Sequence, residues 1–156
     1  MSQVLSEQSI GVRAFAGLLK AHASVTRQLN AQLVAEHGLT INDYEVLLHL
    51  ARVPEKQLRR VDLVERVLLT PSGITRLLEG LERSGLVERR QCREDRRVAY
   101  ARLTAAGSQK LREASQTHIA GIESLFTGRF TDDELATLSA LLSRLPARGD
   151  ADLGCD

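Results

Sequence analysis

The spacing of hydrophobic and polar positions predicts six helices along the chain. Over residues 9–37 apolar side chains recur at steps of three and four, which is the spacing of one face of an α-helix. They are Phe15, Leu18, Leu19, Val25, Leu29 and Leu33, with His22 among them. The same kind of spacing predicts further helices, whose approximate bounds are 40–52, 61–67, 71–84, 104–127 and 132–145.

Helix-stopping and capping residues set the limits of the first three helices. Gly38 ends the first, and Thr40 can cap the second with Asp43 in its first turn. Pro54 closes the second helix, and a polar bridge over residues 55–59 leads to a short third helix. The apolar contributions of that short helix are Val61, Leu63, Val64 and Val67.

The fourth helix separates an apolar face from a polar one. Thr70 can cap its first turn, and Pro71 follows at the position where a helix has no use for an N–H. Its apolar stripe consists of Leu77, Leu78, Leu81 and, beyond the helix end, Leu86. Its other faces carry Ser72, Gly73, Thr75, Arg76, Glu79 and Arg83. One face is therefore predicted to pack inward and the other to face outward.

Two extended runs follow this helix. Gly85 is a natural left-handed stop, residues 86–90 can run as a short strand, and Val98, Tyr100 and Leu103 indicate a second, half-buried strand. The intervening residues 91–97 carry three arginines at the tip of a two-stranded ribbon. This order of helix, stop, strand, basic turn and strand is the plan of a winged helix-turn-helix. The predicted fold class is therefore mainly α with a small β-wing. For the turn taken alone, a solvated charged hairpin is the alternative.

Composition and charge narrow the function classes. The chain has 156 residues, 43% of them hydrophobic, and a net charge of +1, which suits one domain and excludes a generally basic nucleic-acid coating protein. Positive charge is concentrated locally, because residues 88–102 hold six arginines against three acids. No secretory or membrane-spanning run is present, so a cytoplasmic location is expected. Cys92 and Cys155 lack a zinc or disulfide spacing, and no metal, cofactor or enzyme motif is found, so neither a cofactor nor catalysis is expected.

Five ordered segments resemble the MarR (multiple antibiotic resistance regulator) family of bacterial transcription regulators. They are 38–41 with 44–48, 70–76, 81–89, 95–97 and 103–107, and the resemblance extends over nearly the whole chain. It implies a single MarR-type chain in which residues 9–37 and 105–146 form dimerisation helices and residues 41–104 form the DNA-binding lobe. It also implies a homodimer that reads a palindromic operator in double-stranded DNA. Helices that fold back on their own chain are the alternative to the dimer.

The resemblance assigns DNA contacts to the fourth helix and to the basic turn. Ser72, Gly73, Thr75 and Arg76 would lie nearest the major groove, with Arg76 as the base reader. Arg97, oriented by Asp95, would enter the minor groove. The phosphate contacts would be Arg89, Arg93 and Arg96.

The resemblance also implies a regulatory signal. Family members often bind small aromatic acids, and the candidate ligand-binding residues are Arg13, Phe15, His22, Tyr44, His49 and His118. For the histidines on apolar faces, a core or interface role is the alternative. The predicted function is a dimeric repressor released by a small, aromatic or phenolic ligand. The alternatives are a redox-responsive regulator using Cys92, or a winged-helix module that binds protein without specific DNA binding.

Overall fold

The computed structural model describes residues 9–67, 69–92 and 98–146, and within them the chain forms six α-helices and one three-stranded antiparallel sheet. The helices are α1 (Ile10–His37), α2 (Ile41–Ala51), α3 (Arg60–Arg66), α4 (Pro71–Arg83), α5 (Ala105–Phe126) and α6 (Asp132–Leu142). The strands are β1 (Gln57–Arg59), β2 (Val87–Gln91) and β3 (Ala99–Leu103). The predicted class, mainly α with a small β-wing, is confirmed.

The chain divides into two compact units, Met1–Ile119 and Ala120–Asp156. The first holds the hydrophobic core, to which α2, α3, α4 and the sheet each contribute buried side chains. Helix α1 buries only Leu29 and Leu33, near its C-terminal end, while Phe15 and Leu19 are exposed. The core therefore lies under the helix-turn-helix and the sheet, and the N-terminal half of α1 takes no part in it.

The predicted helix limits are confirmed to within three residues, and local capping sets several of them. The Ser9 hydroxyl accepts a hydrogen bond from the Val12 amide, and Gly38 ends α1 in the left-handed conformation with φ of 66°. At the start of α2, the Thr40 hydroxyl accepts from the Asp43 amide while the Asp43 carboxylate accepts from the Thr40 amide.

The sheet contains a strand that the sequence interpretation missed. The order is β1-β3-β2, with Leu58 opposite Ala101 in one pair and Arg89 opposite Ala101 in the other. Residues 55–59 were expected to be a polar bridge, and for Gln57–Arg59 that prediction is wrong. Only Leu58 of these three residues is apolar and buried, so the segment is too short to display an alternating pattern.

Two side-chain assignments also need correction. Val61 was counted among the apolar contributions of α3, yet it is 61% exposed while Leu63 is fully buried. Two residues along a helix correspond to about 200° of rotation, so Val61 and Leu63 cannot share a face. Conversely Ile74, which the predicted stripe of α4 left out, is fully buried beside Leu78 and Leu81.

The start of α5 is joined tightly to the start of β2. The Thr104 hydroxyl lies 2.7 Å from the Gly85 carbonyl oxygen and accepts a hydrogen bond from the Gly107 amide at 2.9 Å. A Cβ on Gly107 would lie 2.0 Å from the Leu86 carbonyl oxygen, so only glycine allows this approach. The segment 103–107 thus links the hairpin to α5.

The second unit contains the end of α5 and the whole of α6. Thr131 and Glu134 form a capping box at the start of α6, and the rings of Phe126 and Phe130 lie 6.3 Å apart. No residue of α6 is buried, and Leu141 and Leu142 are 49% and 42% exposed. Within the residues described, no helix combines the length and apolar character that crossing a membrane requires.

Candidate nucleic-acid interface

The first turn of α4 is exposed and firmly capped. The Thr70 hydroxyl accepts a hydrogen bond from the Gly73 amide at 3.1 Å and lies 3.2 Å from the Ser72 hydroxyl. A Cβ on Gly73 would lie 3.2 Å from the Thr70 hydroxyl oxygen, so glycine at this position protects the cap. Ser72 is exposed and Gly73 is half-buried, which leaves this end of the helix accessible.

The polar face of α4 is set by the face that it buries. Ile74, Leu78 and Leu81 pack into the core, and Arg76 lies two residues beyond Ile74. This offset places Arg76 on the outward side, where it is exposed. A guanidinium there can reach a groove of duplex DNA and donate to guanine in bidentate fashion.

The Thr75 hydroxyl is less available for contacts with DNA than the sequence predicted. Its hydroxyl donates to the Pro71 carbonyl oxygen at 3.0 Å and accepts from the Arg60 guanidinium at 3.3 Å. Of the four residues predicted nearest to DNA, Ser72 and Arg76 are exposed, whereas Gly73 and Thr75 are half-buried and bonded to their own lobe.

The two faces of the β2–β3 hairpin differ in how their arginines are paired. Glu88 accepts from the Arg90 Nε at 2.9 Å and lies 3.7 Å from an Arg102 nitrogen, so one acid lies between two arginines on one face. Arg89 alternates with them along β2 and lies on the other face, opposite Ala101. It is exposed, as a phosphate contact requires.

The basic tip of the hairpin lies outside the described residues. This applies to Arg93, Asp95, Arg96 and Arg97, whose predicted roles rest on the sequence. Beyond the last paired residues of β2 and β3, the Cys92 amide donates to the Val98 carbonyl oxygen at 3.1 Å, and Cys92 is half-buried.

Two arginines at the start of α3 were missed by the sequence interpretation. Arg59 donates to both carboxylate oxygens of Asp62, at 2.9 and 2.8 Å, and this hydrogen bonding lowers the pKa of Asp62. Arg60 instead reaches across to α4. The signal available in the sequence was two consecutive arginines ahead of the first helix of the helix-turn-helix.

Only two of the predicted ligand-binding residues come together within the chain. The rings of Tyr44 and His118 lie 4.7 Å apart, and the Tyr44 hydroxyl is 3.2 Å from that of Ser115. The Nδ1 atom of His118 is buried and has no hydrogen-bond partner among the described residues, and burial lowers the pKa of His118. These groups form a small polar cluster where α2 packs against α5.

The other four candidate ligand-binding residues lie elsewhere. Arg13, Phe15 and His22 are exposed on the N-terminal half of α1, and Phe15 is roughly 27 Å along the helix axis from Leu33. His49 is half-buried on α2, and burial together with the nearby Arg66 and Arg52 lowers its pKa. One chain by itself therefore does not gather the six residues into one pocket.

Comparison with known proteins gives consistent matches. A family model described as the MarR family matches residues 37–98. The chain is 26% identical over 141 residues to the HTH-type transcriptional regulator MhqR of Bacillus subtilis, covering 90% of this chain and 93% of the relative. It is 30% identical over 119 residues to the homoprotocatechuate degradative operon repressor of Escherichia coli, covering 76% and 78%.

A solved structure agrees with these matches. The crystal structure of AbsC, a MarR family transcriptional regulator from Streptomyces coelicolor, superposes with a TM-score of 0.77 at 28% identity. The superposition covers 88% of this chain and 93% of AbsC. The likeness therefore includes the terminal helices as well as the segment matched by the family model.

Proposed function

Because this chain belongs to the MarR family of transcription regulators, we propose that it is a sequence-specific DNA-binding repressor. It acts as a homodimer on a pseudo-palindromic operator and is released by a small aromatic or phenolic ligand. Residues 41–104 form the DNA-binding lobe, and residues 9–37 and 105–146 provide the dimerisation helices. The observation that carries the proposal is the exposed, capped first turn of α4 with Arg76 on its outward side.

The charge distribution supports DNA as the partner. The exposed side chains of the lobe include Arg76 on α4 and Arg89 on β2, and three more arginines follow Cys92 in the sequence. Positive charge on a helix and on the adjacent hairpin suits the major groove and the neighbouring phosphates of one duplex. A module that binds protein instead would present an apolar surface on α4, whereas the isoleucine and leucine side chains of α4 are buried or half-buried.

The repressor role and the ligand class draw support from one named relative. The Escherichia coli protein is a repressor of an operon that degrades homoprotocatechuate, an aromatic acid. Where α2 packs against α5, Tyr44 supplies a buried aromatic ring and His118 supplies a buried, unsatisfied polar nitrogen. Both features suit a planar ligand that carries a hydroxyl or carboxylate.

The test is protection of DNA upstream of the protein's own gene in a footprint titration. Wild-type protein is expected to protect a two-fold symmetric segment, and Arg76→Ala is expected to weaken binding by about 1–3 kcal/mol, the cost of losing a bidentate base contact. Arg83→Ala is the matched control, because Arg83 is an exposed arginine in the last turn of the same helix. Equal losses for the two variants would contradict base reading by Arg76.

Ligand release has a separate test. Aromatic acids and phenols are screened for compounds that raise the melting temperature, since a ligand that binds only the folded state stabilises it. A compound that raises the melting temperature is expected to lower operator affinity in the same concentration range. A series of such compounds that leaves operator affinity unchanged would contradict release by ligand.

A further inference from the structure

Arg60 joins the two helices of the helix-turn-helix. It is the first residue of α3, and its Nη1 donates to the hydroxyl of Thr75, the fifth residue of α4, at 3.3 Å. Both side chains are half-buried. Their contact bridges the two helices whose buried Leu63 and Ile74 belong to the same core.

The Thr75 hydroxyl is largely committed within the protein. A hydroxyl has one proton and two lone pairs. The proton goes to the Pro71 carbonyl oxygen at 3.0 Å, and one lone pair accepts from Arg60. Thr75 therefore has no proton left for a phosphate or a base as long as the Pro71 contact is kept. The hydrogen bond that Thr75 accepts from Arg60 is therefore the contact that indicates its role.

Arg60 differs from its neighbour Arg59 in its bonding partners. Arg59, the residue that precedes α3, is held by the carboxylate of Asp62 in the first turn of that helix. In the described ranges, no carboxylate lies within 4.0 Å of the Arg60 guanidinium. An arginine beside the first turn of a helix is electrostatically unfavourable. The Arg60 contact is therefore better explained by what it positions than by the stability that it adds.

We propose that Arg60 is a positioning residue for DNA recognition, which holds the first turn of α4 at a fixed place relative to α3 through the Thr75 hydroxyl. It acts on base discrimination, through the placement of Ser72 and Arg76, and not as a phosphate contact of its own. This inference rests on the proposed function, because it concerns the helix that reads DNA.

The experiment uses full-length protein and a duplex that the wild type has selected from a random pool. Dissociation constants are measured for this duplex and for a scrambled one at several salt concentrations. Their ratio gives the specificity, and the salt slope gives the number of phosphates neutralised. The variants are Arg60→Met, Thr75→Val, the double variant, Arg60→Lys and, as matched control, Arg59→Met.

Positioning predicts a pattern that a phosphate contact does not. Arg60→Met and Thr75→Val should each lower the specificity ratio by about tenfold, the size of one good base contact. The double variant should lose no more than either single one, because both remove the same contact. The salt slope should stay at the wild-type value, Arg60→Lys should recover most of the ratio, and Arg59→Met should leave the ratio unchanged.

Other outcomes overturn the inference. A salt slope reduced by about one per subunit, with both duplexes weakened equally, would make Arg60 a phosphate contact instead. Additive losses in the double variant would separate Arg60 from Thr75. Melting curves verify that each variant folds. If Arg60→Met unfolds, the specificity ratio of the nearly isosteric Thr75→Val tests the inference instead. If wild-type protein selects no duplex at all, the proposed function itself fails. If wild-type protein selects a duplex and Arg60→Met keeps the wild-type specificity ratio, only the inference about Arg60 fails.

Discussion

At the scale of single residues, the contact between Gly107 and Leu86 determines where α5 begins relative to β2. The Leu86 carbonyl oxygen would lie 2.0 Å from a Cβ at position 107, and the Leu103 Cδ1 atom 2.7 Å from it. The Thr104 amide also donates to this carbonyl oxygen, so the backbone cannot retreat without losing that bond. The glycine of the segment 103–107 is therefore a packing requirement.

Gly107→Ala is expected to destabilise the protein by about 1–3 kcal/mol or more, because the added methyl overpacks against backbone. Gly80→Ala is the matched control, since a Cβ at position 80 in α4 meets nothing within 4 Å. Alanine there should be neutral or stabilising by up to about 1 kcal/mol. Chemical denaturation of both variants measures the difference, and equal stabilities would contradict the close approach.

His118 makes stability depend on pH. Burial lowers its pKa in the folded protein relative to the unfolded chain, so the unfolded chain binds the proton more readily. Stability is then unaffected above the unfolded pKa of about 6.5 and falls as pH decreases below it. His49, whose pKa is also lowered, contributes in the same direction.

His118→Gln is expected to flatten part of the loss of stability between about pH 7 and pH 5, because glutamine does not titrate. His22→Gln is the control, since His22 is exposed on α1. The measurement is the denaturation midpoint across this pH range. The control is expected to follow wild type, and the prediction fails if wild type and His118→Gln lose stability in parallel.

At the scale of elements, the sequence predicted what is determined locally. Caps such as Thr40 with Asp43, and stops such as Gly38, act within one turn, so they can be found in the sequence and the structure confirms them. Strand β1 depends on pairing with β3, which lies more than 40 residues away, and its three residues carry no pattern of their own.

In the candidate site too, features that are determined locally were predictable, and contacts between elements were not. The outward position of Arg76 follows from helical periodicity and was predictable. The bond between Arg60 and Thr75 joins two helices, and the sequence does not show which of two adjacent arginines crosses between them. The ion pair of Arg59 with Asp62 is what distinguishes them, and it appears only once the side chains are placed.

The prediction for Arg97 concerns the predicted wing and rests on the sequence. Arg97→Ala is expected to weaken operator binding strongly, and several neutralised phosphates per subunit should make binding fall steeply with salt. Arg129→Ala, which removes the same charge between α5 and α6, serves as the control. Gel-shift titrations at several salt concentrations provide the measurement. Near-normal binding by Arg97→Ala, or a flat salt dependence, would remove the wing from the mechanism.

At the scale of the whole molecule, each unit leaves apolar side chains exposed. In the first unit Ile10, Val12, Phe15 and Leu19 lie along the N-terminal half of α1, and in the second unit Leu141, Leu142 and Leu145 lie at or just beyond the end of α6. Exposed apolar stripes on helices are typical of surfaces that a partner covers. The proposed homodimer supplies that partner in the form of a second copy.

Phe15→Ser is expected to weaken the dimer, because it removes a large apolar side chain from the surface that a second copy would bury. Val61→Ser is the matched control, since Phe15 and Val61 are both 61% exposed but Val61 lies on α3 in the proposed DNA-binding lobe. Sedimentation equilibrium of both variants measures the association. Identical dimer dissociation constants for the two variants would place the interface elsewhere.

The outer edge of β2 has a consequence for handling the protein. β2 is an edge strand of the sheet, and its exposed side chains include Arg89 and Arg90. Charges on an edge strand discourage other sheets from pairing with it, so these arginines also protect the protein against aggregation. Variants that neutralise Arg89 or Arg90 should therefore precipitate at lower protein concentration than the wild type, whether or not DNA is present.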